Sequence, residues 1–331
     1  MAPKQHRWLF GLLLAAYSTF CAEVLAGSDL FPFWHVWGVV VTWPLYGLHA
    51  LVLLTWVYRH GPRFSTLMAA GALFGLYEAY ITKMLWKPTW GALLTVADVA
   101  IVEVVVLLWW HTWFSFITPV VLAETLLTTS DTIRAALPGL VRWVYTSAWG
   151  WVGLAVLGAV VQTINSPTPL TSLASGVAGV AMLGALTLLW KRATRGRQYT
   201  LGDVLPGPRA WRVLVMLLLG YYGVLGVTIY PQHVPPLWPG QVVIWILYAL
   251  AALLFWRGVR TPLPARSASL RRVPTQTVLV AAAALLLALP VVKAWAGASG
   301  WPLLLVWVGG GAFYLAAWVA AWRSTRPARA P

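Results

Sequence analysis

The sequence predicts an all-α protein, a polytopic bundle of ten transmembrane helices, or eleven if residues 112–129 also cross. Three observations predict it. Hydrophobic residues make up 60% of the 331-residue chain and charged residues only 9%, against about 25% charged in a soluble domain. Mean hydropathy is +0.76. Apolar runs of the ~20 residues that cross a bilayer recur from one end of the chain to the other. A water-soluble fold of this length could not enclose so much apolar surface.

The runs fall in order at about 8–26, 36–58, 64–82, 91–110, 143–164, 171–190, 213–230, 240–256, 275–293 and 301–322. The first follows Lys4 and Arg7 and ends in a small-residue stretch, "VLAGS". It reads as a signal anchor more simply than as a cleaved signal peptide, because so many spans follow. The stretch 112–129 contains Pro119 and Glu124. It reads as an eleventh span, a re-entrant segment or an interfacial helix. The whole of 1–331 is one integral membrane domain. Within it, 1–142 is the polar half and 143–331 an apolar helical half with basic linkers.

Net charge is +15, from 23 Lys and Arg against 8 Asp and Glu. The basic residues lie mostly between apolar runs, as the positive-inside rule expects, so they do not imply a nucleic-acid partner. The partners expected are the bilayer itself and anionic lipid headgroups at the basic linkers. Six basic residues fall between Lys191 and Arg212, and five between Arg257 and Arg272. These linkers and the C-terminal tail are expected on the cytoplasmic side of a cell membrane. Ten spans put both termini there.

One cysteine, Cys21, allows no internal disulfide and no CxxC metal site. The acids are lopsided: Glu23, Asp29, Glu78, Asp98, Glu103, Glu124 and Asp131 all precede residue 132, and only Asp203 follows. A candidate site therefore belongs to the first four spans.

"FGLYEAYITK", residues 74–83, is the most informative segment. A charge in mid-span costs ~2.5–3.5 kcal/mol on insertion scales and usually faces the bundle interior. Gly71, Gly75, Glu78 and Thr82 follow helical spacing and share one face. The GxxxG within it lets a second backbone come close. Glu78 should therefore point at a neighbouring helix, with Lys83 placed to neutralise Glu78 or Glu23. Other stripes are Thr19 with Glu23, Thr42 with Tyr46 and His49, and Gly91 with Thr95 and Asp98. Alternating span direction puts Glu23, Glu78, Lys83 and Asp98 in one half of the membrane, with His49 and Glu103 nearer the midplane. The candidate polar site is thus Glu23, His49, Glu78, Lys83, Asp98 and Glu103, with Glu23 and Glu78 approaching each other or a common cavity. Isolated interhelical hydrogen bonds are the plainer reading of the same stripes. His35, His60, His111 and His233 lie near expected span ends and read as interfacial. Trp34, Trp37, Trp86 and Trp90 read as an aromatic belt.

No catalytic signature accompanies these residues. "GASG" at 297–300 has the form of an intramembrane serine protease motif, but no histidine follows Ser299. There is no HExxH and no phosphate-binding glycine loop. No cofactor or metal is implied. Three functions remain open: an ion-coupled transporter or permease, an intramembrane enzyme acting on a lipid or polyprenyl substrate, and a non-catalytic subunit of a membrane complex.

Overall fold

The computed structural model describes residues 1–85, 94–97, 99–229, 238–263, 270, 273–296 and 300–326. Its helices are α1 (Lys4–Thr19), α2 (Trp43–Arg59), α3 (Phe64–Tyr77), α4 (Ile101–Trp110), α5 (Thr118–Leu127), α6 (Thr132–Ala136), α7 (Gly139–Thr146), α8 (Ala148–Gln162), α9 (Pro169–Thr194), α10 (Leu201–Val204), α11 (Pro208–Thr228), α12 (Trp238–Arg260), α13 (Thr275–Ala296), α14 (Trp301–Leu304) and α15 (Gly311–Arg323). The described strand content is one small antiparallel pair, Thr95–Val96 with Val99–Ala100.

Among the described residues, eight helices are long and apolar enough to cross a membrane, or nine if the bent pair α7 and α8 is one span. That pair turns by 88° at Ser147, whose hydroxyl accepts from the Gly150 N–H and so caps the new helix. Capping likewise starts α9, where the Thr168 side chain accepts from the Thr171 N–H ahead of Pro169.

One expected span is displaced. The helix expected at 91–110 begins at Ile101, and residues 112–129 are its second half rather than a separate element: the span runs continuously from Ile101 to Leu127. A π-helical segment, His111–Ile117, joins α4 to α5. Pro119 falls two residues past that segment, and the helix continues through it to Leu127. Thr95 belongs to a strand, not to a helical stripe.

Five π-helical segments are described: Phe20–Val24, Gly38–Thr42, Glu78–Leu85, His111–Ile117 and Leu305–Gly310. Such segments are rare, hold one extra residue per turn, and are often found at functional sites. Three of the segments here contain a carboxylate or a histidine: Glu23, Glu78 and His111.

The chain folds into two compact units that interleave along the sequence. The first comprises Met1–Leu51, Thr118–Gly207 and Ala265–Leu305. Within it α1 packs on α5 and α9, and α13 packs on α8 and α9. The second comprises Val52–Ile117, Pro208–Pro264 and Val306–Pro331. Within it α3 lies against α4, the 111–117 segment, α12 and α15. The acid-bearing spans are the most enclosed: Phe64–Lys83 and Ile101–Leu127 are each 83% buried, whereas Thr275–Ala296 is 17% buried. Carboxylates thus occur where protein, not lipid, surrounds the helix.

Candidate functional site

In the second unit α3 and α4 come together on a glycine face. A Cβ at Gly71 would stand 2.7 Å from the Thr112 Cα, and one at Gly75 would stand 3.1 Å from the Leu108 Cα. Only glycine allows backbones to meet at that distance. Just beyond this contact α3 changes to π-helix, and Glu78 is the first residue of the new segment. On the facing span His111 is likewise the first residue after α4.

The two side chains meet. Glu78 Oε2 lies 2.7 Å from His111 Nε2. Lys83 Nζ lies 3.4 Å from Glu78 Oε1. On its other edge, His111 Nδ1 lies 2.7 Å from Ser115 Oγ. The result is a four-membered chain, Lys83–Glu78–His111–Ser115. It grades from part-exposed to enclosed: Lys83 and Glu78 are 21% and 17% exposed, and His111 is 2% exposed. Phe74 stacks on the imidazole at 5.7 Å and Tyr77 meets it edge-on at 6.4 Å.

The chemistry follows from the hydrogen-bond capacity of imidazole. In the neutral ring, Nε2–H donates to the Glu78 carboxylate and Nδ1 accepts from the Ser115 hydroxyl. In the protonated ring both nitrogens donate, and Ser115 accepts instead by rotating its O–H. The two hydrogen bonds of the imidazole can thus be made in either form of the ring. Lys83 balances the carboxylate at the exposed end.

Of the six residues singled out from the sequence, Glu78 and Lys83 are in this chain. Glu23 and His49 belong to the first unit. There Glu23 Oε1 accepts from the Tyr46 hydroxyl at 2.6 Å, and its Oε2 accepts from the Ser28 hydroxyl. His49 is 1% exposed and donates Nδ1–H to the Leu45 carbonyl at 2.8 Å. Glu103 is buried in the first turn of α4, not near mid-span, because the helix starts later than expected. Acid in a first helical turn favours the positive end of the helix dipole. Asp98, Gly91, Trp86, Trp90 and His233 lie outside the described residues.

His111 corrects the sequence reading. It is enclosed within a span, not interfacial, because the helical span continues past it to Leu127. His35 pairs with Asp29 at 2.8 Å, and His60 sits edge-on to Phe255 at 6.0 Å. A second acid–base pair also escaped the sequence reading. In the first unit Glu124, fully enclosed, accepts from the Ile133 and Arg134 N–H groups at 2.7 and 3.1 Å and faces Arg134 Nε at 3.4 Å. It caps α6 while neutralising a buried guanidinium. That is a structural task, because its oxygens are taken up by the backbone it holds.

The fold and this intramembrane network define the chain as a polytopic α-helical membrane protein. It belongs to an uncharacterized membrane protein family, whose model matches residues 12–326. It is similar to an uncharacterized protein of Archaeoglobus fulgidus, 32% identical over 244 residues, which cover 73% of this chain and 75% of that one. No solved structure matches the chain.

Proposed function

We propose that the protein is a proton-coupled membrane transporter, with Glu78 and His111 as the proton-carrying pair and Lys83 as the countercharge. The observation that carries this reading is the 2.7 Å Glu78–His111 contact within the two most enclosed spans. Titratable groups are costly in a membrane interior and tend to mark ion or substrate paths. Coupling requires a group that can gain and lose a proton inside the protein, and an imidazole hydrogen-bonded to a carboxylate supports that reading. Glu23 and His49, flanked by Tyr46, are proposed as further polar groups of the first unit.

The proposed topology has ten crossings: the eight long helices, the bent pair α7 and α8, and α1 continued through the π segment to Val24. Both termini and the linkers bearing Lys191, Arg192, Arg195, Arg197, Arg257 and Arg260 then face the cytoplasm of a cell membrane, against anionic headgroups.

The test is solute uptake by membrane vesicles prepared with and without the gene, each with and without a protonophore. Transport predicts at least one solute whose uptake needs the protein and collapses with the proton gradient. Identical solute profiles in all four preparations would contradict it and leave the enzyme and complex-subunit readings.

A further inference from the structure

Beside the Glu78–His111 pair, in the same unit, lies a cluster of rings that the coupling chemistry does not use. Tyr77, edge-on to His111, stacks on Tyr222 of α11 with centroids 5.9 Å apart and planes 8° apart. Tyr80 packs on Trp245 of α12 at 5.7 Å, and Trp245 packs on Tyr248 at 5.4 Å. The Tyr80 hydroxyl reaches Gln241 Oε1 at 3.4 Å. Tyr77 and Tyr80 stand three residues apart, so the two groups of rings adjoin along one helical face. Flat ring faces, several hydroxyls and an amide thus gather where α11 and α12 meet the π segment that begins at Glu78.

Two features narrow what such a cluster would bind. Trp245 is 55% exposed on a helix that is only 28% buried. In a membrane chain that surface faces acyl chains, so a ligand would arrive from the bilayer. Charge is balanced, because Lys83 stands 3.4 Å from Glu78. A net cation or anion would meet a like charge there, whereas a neutral ligand would not. Tyrosine hydroxyls and an amide recognise carbonyl oxygens, and ring faces recognise a flat conjugated ring.

We propose that this cluster binds a neutral, membrane-soluble ring compound bearing carbonyl oxygens, of the quinone class, with Tyr222 and Tyr248 as hydrogen-bond donors and Trp245 as the lipid-side wall. The site adds a substrate class to the transport reading and rests on it only for the word substrate. Binding itself needs no transport.

The test uses the full-length protein in detergent, titrated with decylubiquinone and followed by quenching of tryptophan fluorescence. The expected result is saturable quenching whose amplitude falls in Trp245→Phe. Binding should weaken about tenfold in the double variant Tyr222→Phe, Tyr248→Phe, the effect of losing two modest hydrogen bonds. Thermal unfolding of each variant, read with a thiol-reactive dye at buried Cys21, separates a lost donor from a lost fold. Non-saturating quenching, or equal affinity in a double variant that unfolds at the native temperature, would overturn the proposal. So would full displacement by tetraphenylphosphonium, which would mark a cation site. Protonophore-sensitive uptake without quinone binding would discard the ligand class alone. Quinone binding without such uptake would discard transport alone.

Discussion

A single residue's identity decides whether the proposed network can work, and Glu78 shows why. Its two oxygens have different partners, an imidazole at 2.7 Å and an ammonium at 3.4 Å. Removing one partner of a buried polar contact leaves the other unsatisfied, at ~1–3 kcal/mol. His111→Phe should therefore lower the unfolding temperature as well as abolish coupling, whereas Ser115→Ala should mainly weaken it. At the surface a different carboxylate makes a pH prediction. The Thr200 hydroxyl and N–H, which both donate to Asp203, hold its carboxyl below its ordinary value. A depressed carboxyl contributes stability that is present above its unfolded pKa of about 3.9. That contribution is lost as pH falls through the folded value. Thr200→Ala should remove this acid-side loss, so its unfolding temperature should decline less than the native protein's between pH 5 and pH 3, about one unit either side of that pKa.

The helices show which parts of the structure could be read ahead of it. Glu78 was legible because one charge in an apolar run contradicts its surroundings, and the glycine spacing gave its direction. His111 was not, because Trp109, Trp110 and Trp113 around it imitate an interfacial belt, and Pro119 imitates a span end. The extra residue of the π segment carries the helix past both signals. Nothing in a 3.6-residue periodicity reveals such an insertion. The Glu124–Arg134 pair was equally hidden, since it joins residues on either side of a chain reversal after α5. The glycine face makes a prediction with an internal control. Gly71→Ala places a Cβ 2.7 Å from the Thr112 backbone, which cannot yield as a flexible side chain can. Overpacking of this kind costs ~1–3 kcal/mol. A Cβ at Gly153 in α8 meets nothing within 4 Å. Gly153→Ala should therefore be neutral or stabilising by ~0.5–1 kcal/mol, the gain from a stiffer unfolded chain. Unfolding midpoints of the two variants, compared side by side, check this.

For the molecule as a whole, the class of fold was legible from composition alone, and the two interleaved units were not, because their boundaries fall inside α2 and the Ile101–Leu127 span. No composition shift marks those points. The proposed topology is open to a direct check. Gln198 is exposed in the linker between α9 and α10. Gln198→Cys, in a Cys21→Ser background, should resist an impermeant thiol reagent added to intact cells and react once the cells are opened. Ready labelling of intact cells would reverse the orientation. The central claim, that Glu78 carries a proton on which activity depends, is tested most directly by complementation of a strain lacking the gene. Glu78→Gln keeps size and hydrogen-bonding capacity but cannot release a proton, whereas Glu78→Leu removes both. The account predicts that the Gln variant reaches the membrane at native levels, unfolds near the native temperature and fails to restore growth. Full complementation by Gln at native protein level, with failure confined to Leu, would contradict it and make Glu78 a packing residue.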